Sequence, residues 1–170
     1  AIYLELGNLE RCLEVLPKIE AGLKKWEGEI NPINEQLIYF NTAITHFLNE
    51  NYSQSVRWLN RLINQSPNKR GQTSSNIDYY GQLFNLVVHY EVGNIELLEY
   101  LVGATAKFMN SIRELNAFDQ TVIDFFNTTL LKTYDASTLR SGFGDLKIRL
   151  EKLAVSPANR AALDYFNFIA

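Results

Sequence analysis

The chain has 170 residues, a formal net charge of −3 and a sequence pI of about 5.4, with acids and bases interspersed. That balance argues against a general nucleic-acid binder, which needs a basic face to displace counterions from phosphates. Hydrophobic residues make up 46% and aromatics 12%, enough for a continuous core, while no run of about 18 apolar residues offers a membrane span.

The elements expected along the chain are helical and follow a fixed step. Gly7-Asn8, Glu50-Asn51 and Gly93-Asn94 succeed one another every 43 residues, each followed by an amphipathic stretch beginning at Leu9, Tyr52 or Ile95. A period in this range marks stacked repeats. The length suits about four such units, or one ordinary domain. The first long helix, from Asn8, carries Leu9, Cys12, Leu13, Leu16, Ile19, Leu23 and Trp26 on one stripe. Pro17 removes an amide donor and is expected to kink or split it. Cys12 is the single cysteine and reads as a buried side chain in a reducing, cytoplasmic setting. Gly28 and Asn31-Pro32 end the segment.

Further helices are expected at about Asn34–Asn49, with Tyr39, Ala43, His46 and Phe47 inward, and at Ser53–Gln65, with Val56, Leu59, Leu62 and Ile63 inward. Asn68–Asn76 is polar throughout and reads as a loop. Helices then follow at Ile77–Val92, at Asn94–Ile112 and at Ala117–Thr133. Another begins at Ser137 or Thr138, carrying Leu139, Phe143, Leu146, Leu150 and Leu153. Ser156-Pro157 reads as an N-cap with proline at the first helical position of a last helix. Helices in pairs joined by turns are the unit of an α-solenoid.

The stretch Gln36–Pro67 resembles a tetratricopeptide repeat. Tyr39-Phe40-Asn41 with Ala43 stand in the first helix, then Tyr52, Ser55 and Leu59 in the second, and Pro67 closes the unit. A second stretch, His89 to Tyr100, is similar to tetratricopeptide-like proteins of Bacteroidetes. The resemblance implies an all-α fold of antiparallel helix hairpins stacked as a right-handed superhelix. The second resemblance covers about the last two-thirds of the chain, and residues 1–170 are expected to form a single tetratricopeptide-like repeat domain. The fourth repeat departs most, with Gly142 and Asp145 where a packed helix wants larger apolar groups.

No catalytic or metal-binding constellation is legible, and neither a cofactor nor a metal is expected. His46 and His89 repeat the 43-residue step and read as packed, hydrogen-bonded core side chains. Glu96 and Glu99 read as a solvated first turn favoured by the helix dipole.

In the resembled family one stripe of each first helix lines a concave groove. Here that stripe contains Leu37, Asn41, Ile44 and Leu48, then Tyr80, Phe84, Val87 and Glu91, then Ile123, Asn127, Leu130 and Tyr134. Two readings of it stand: a groove for an extended or helical peptide with apolar anchors, or buried core. The expected function is a protein- or peptide-binding scaffold without catalysis. A regulatory sensor arm of a larger protein is the alternative, and a helical small-molecule binder or enzyme is a third. The register makes Ala1–Leu6 the stub of a repeat, so a longer parent chain and self-association through an uncapped N-terminal face are expected.

Overall fold

In a computed structural model the described residues are 2–64, 76–112, 114–132, 135–157, 159–160 and 163; their regular structure is all helical, without strands. The chain divides into two compact units, Ala1–Val92 and Gly93–Ala170. The first contains α1 (Ile2–Glu5), α2 (Leu9–Lys25), α3 (Pro32–Leu48), α4 (Tyr52–Asn64) and α5 (Asn76–Glu91). The second contains α6 (Ile95–Ile112), α7 (Ala117–Phe125) with a π-helical turn at Phe126–Leu130, and α8 (Ala136–Leu153).

The 43-residue step has a backbone counterpart. Gly7, Glu50 and Gly93 all take the left-handed conformation, at φ 65°, 56° and 78°. After α3 the amide of Asn51 donates to the His46 carbonyl and that of Glu50 to the Phe47 carbonyl, both at 2.9 Å. The same pair of bonds follows α1, from Asn8 to Tyr3 at 2.8 Å and from Gly7 to Leu4 at 2.9 Å. This is the Schellman closure, which answers carbonyls that a helix end leaves open. Asn8 then accepts from the Arg11 amide at 3.1 Å, and Asn51 more weakly from Gln54 at 3.4 Å, so each turn also starts the next helix.

In the first unit α3 and α4 form an antiparallel pair, with α5 against both and α2 against α3. Ala43 and Ser55 lie at the α3–α4 crossing with no exposure, and the Ser55 hydroxyl donates to the Ala43 carbonyl at 2.9 Å. Small side chains there bring the backbones close, and Leu59, Leu62, Trp58 and Phe40 fill the space around them. Gly81 serves the same purpose between α4 and α5: a Cβ there would stand 2.5 Å from Leu62 Cδ2. Phe84 packs edge-on against Phe40 and Phe47, with ring centroids 6.0 and 5.1 Å away.

Three local expectations are corrected. Pro17 does not split the first long helix: α2 is continuous, because Pro17 faces solvent, where water can answer the carbonyl it leaves open. Trp26 lies past the last turn as the C-cap and is exposed. Asn31 caps α3, accepting from Ile33 at 2.9 Å, with Pro32 at its start, so that helix begins two residues before the expected Asn34.

In the second unit Leu98, Val102, Met109, Phe118, Val122 and Leu130 are buried. A reciprocal capping box opens α7: the Asp119 amide donates to Asn116 Oδ1 at 3.0 Å and the Asn116 amide donates to Asp119 Oδ2 at 3.1 Å. The expected helix to Thr133 changes at Phe126 into a π turn, closed by the Leu131 amide on the Phe126 carbonyl at 3.1 Å. Gly142 of α8 lies against that turn. A Cβ there would come within 2.9 Å of Thr129 Cγ2 and 3.3 Å of Phe125, so this site requires the small residue that seemed out of place. Ser156 accepts from the Asn159 amide at 3.1 Å, as expected of an N-cap. Most of Asn68–Asn76, together with Pro67, Thr133, Tyr165, Phe166, Phe168 and Ile169, lies outside the described residues.

Candidate functional site

The expected groove residues divide by burial. Leu37, Leu48, Glu91 and Asn127 face solvent, and Asn41, Tyr80 and Val87 are half-buried. Ile44, Phe84, Ile123 and Leu130 are packed inside their units, each with 3% exposure or less. Tyr134 lies outside the described residues. A helical stripe specifies which side chains share a face; a neighbouring helix decides whether that face is covered.

An open cleft of the first unit lies elsewhere. The C-terminal half of α2 stands away from α3 and α4, leaving an open cleft of about 750 Å³. One wall carries Glu20 and Lys24 from α2 with Glu27 from the turn after it, the opposite wall Arg57, Arg61 and Asn64 from α4, and Glu35 and Tyr39 of α3 join the lining. The α4 wall is an i, i+4, i+7 stripe, a spacing that places three side chains on one helix face, and Glu20 and Lys24 are an i, i+4 pair on α2. That periodicity is a signal in the sequence; it goes unnoticed when only apolar stripes are followed.

The lining is ordered by a chain of side-chain contacts. Tyr39 donates its hydroxyl to Glu35 Oε1 at 2.6 Å, and its ring lies 5.6 Å from that of Trp58. The Arg61 guanidinium lies over the Trp58 ring at 4.3 Å. Trp58 is 1% exposed, so the platform beneath Arg61 is fixed by core packing. Burial first, and then the bond to Glu35, push the Tyr39 phenol up to about 12, so it stays protonated as a donor.

The charges of the two walls do not meet. Among the described residues the ion pair is Arg11–Glu14 at 2.6 Å, on the outside of α2. Arg57 makes a long bond of 3.5 Å to Gln54, and Arg61 rests on Trp58; neither is paired with a carboxylate. The cleft therefore presents two guanidiniums opposite Glu20 and Glu27 with room between them.

Of the two histidines expected to be packed and hydrogen-bonded, one departs from the expectation. His89 is buried at 5% exposure. His46 is half-buried, and both its ring nitrogens are enclosed without a hydrogen-bond partner, a correction to that expectation. Burial lowers its pKa, opposed by the more weakly acting negative charge of Glu20. Among the described residues no three His, Cys, Asp or Glu side chains cluster closely enough to hold a metal ion, and no helix is long and apolar enough to cross a membrane. Comparison with protein-family models, with curated proteins and with solved structures finds no match to this chain.

Proposed function

We propose that this chain is a tetratricopeptide-like, cytoplasmic binding module that holds a protein or peptide segment in the α2–α3–α4 cleft and performs no chemistry of its own. The observation that carries the reading is Arg61, held on the buried Trp58 and unpaired, across an open cleft from Glu20 and Glu27. A guanidinium already positioned loses less freedom on binding than one on a mobile stem. Its donors are free for a carboxylate or a backbone carbonyl of the occupant.

Both signs of charge line the cleft, so the segment that suits it carries both. Acidic groups would meet Arg57 and Arg61, and basic groups Glu20 and Glu27. A segment carrying its charges in the reverse order would meet like charges and be repelled, so the arrangement selects orientation as well as composition. The volume of about 750 Å³ falls within the range of roughly 300–1,000 Å³ common for binding clefts.

The test is selection from a random twelve-residue peptide library with the whole chain as bait. Recovered peptides carrying both Lys or Arg and Asp or Glu, and lost on Arg57→Glu with Arg61→Glu, are the expected outcome. Recovery of apolar peptides indifferent to those changes would contradict the use of this cleft. Recovery of none would contradict peptide binding itself.

A further inference from the structure

Thr42 and His46 stand one turn apart on α3. Thr42 borders a small cavity together with Leu4 of α1 and Cys12 and Leu16 of α2, so this side of α3 is the one that α1 and α2 cover. The Thr42 hydroxyl and both ring nitrogens of His46 are enclosed there without a hydrogen-bond partner. Packing alone holds these groups away from water, and leaving them unanswered is costly.

The covering helix is lightly anchored. Of the 17 residues of α2, Cys12 and Leu16 are buried, and its C-terminal half stands away from α3 and α4. The 13 residues of α4 bury Ser55, Trp58, Leu59 and Leu62, each at 1% exposure or less. Segments with little buried apolar surface open at lower cost than the core beside them. Glu20 of α2 is the charged group that acts on His46, and its attraction for a proton is outweighed by burial. The other charges nearby are engaged or solvated. Arg11 and Glu14 pair on the outside of α2, while Lys18 and Lys24 are exposed. On α4, Arg57 bonds to Gln54 and Arg61 lies over Trp58. On α5, Asp78 accepts from Gln36, Glu91 is exposed and His89 is buried.

We propose that α1 and α2 form an acid-released arm: uptake of a proton by His46 detaches them from α3, while α3, α4 and α5 keep their packing. An imidazolium carries two donors. Neither is answered in the closed arrangement, and water answers both in the open one. The ring therefore binds its proton more weakly closed than open, and release grows as pH falls below the ordinary value of about 6.5. Glu20 and Lys24 of α2 also line the charged cleft, so release removes part of one wall. That consequence, weaker peptide capture in mild acid, rests on the function proposed for the cleft; the release itself does not.

The test is hydrogen exchange of the whole chain at pH 7.5 and 5.5, corrected for the slower intrinsic exchange in acid. Protection of α2 is expected to fall about tenfold relative to α4, the excess of protonated over neutral imidazole one unit below 6.5. Cys12, buried on α2, should react correspondingly faster with dithiodipyridine, measured against a free thiol at the same pH. His46→Gln should abolish the difference between the two pH values, and His89→Gln should retain it. Unchanged protection of α2, equal losses in α2 and α4, or a His46→Gln chain that responds like the unaltered one would overturn the proposal. If α2 opens as expected while a peptide selected on the cleft keeps its affinity at pH 5.5, the release stands and the reading of the cleft falls.

Discussion

Glu50 turns through the same left-handed conformation as Gly7, at φ 56° against 65°, and makes the same hydrogen bond to the residue three before it. The backbone at this step is thus repeated while the residue type is not. An L-residue with a Cβ is strained there by roughly 1–2 kcal/mol, and glycine is not.

Glu50→Gly is therefore expected to stabilise the chain, by roughly 0.5–1 kcal/mol once the greater flexibility of glycine in the unfolded chain is subtracted. Urea unfolding measures this directly. A loss of similar size would show that the Glu50 side chain contributes something the turn geometry does not include.

Phe84→Ala should cost about 3–5 kcal/mol and Leu59→Ala about 2–5 kcal/mol, because each empties a buried site. Phe84 stood among the expected groove residues, but its ring lies between Phe40 and Phe47. Denaturant midpoints of the two variants check this. A cost for Phe84→Ala near that of a surface substitution would place the ring outside the core.

The sequence makes helix positions legible because caps and apolar spacing are local. Asn8, Asn31 and Asn51 each start a helix through their own side chains, and Ala43, Ser55 and Leu59 keep a spacing that only a close helix pair uses. Three things were not legible, for different reasons. The π turn at Phe126–Leu130 shifts hydrogen bonds by one residue and leaves no compositional mark. Gly142 reads as a weakness until Phe125 and Thr129 are seen against it. The cleft depends on where α2 leaves α3, a tertiary angle that the stripes of either helix do not encode.

Stability should fall on mild acidification. His46 and His89 both have pKa values lowered by burial from the ordinary 6.5, so the folded chain binds their protons more weakly than the unfolded chain does. Their contribution is intact above about 6.5 and is lost as pH falls from there toward the folded values. His46→Gln should flatten this dependence. Asp135, held near 2 by Ser137 and Thr138, acts in a lower window, between 3.8 and about 2, and does not confuse the two. Urea midpoints at pH 7.5, 6.5 and 5.5 test the prediction; a midpoint rising on acidification would contradict it.

The most direct test of the binding account is to map a selected mixed-charge peptide onto the isotopically labelled whole chain by NMR. The account predicts the largest shifts along Glu20–Glu27 and Arg57–Asn64, a Kd that weakens with salt, and at least about tenfold loss on Arg57→Glu with Arg61→Glu. Shifts centred on Leu37 and Leu48, or on the exposed Leu97 and Tyr100 of α6, with affinity unchanged by the two reversals, would contradict it.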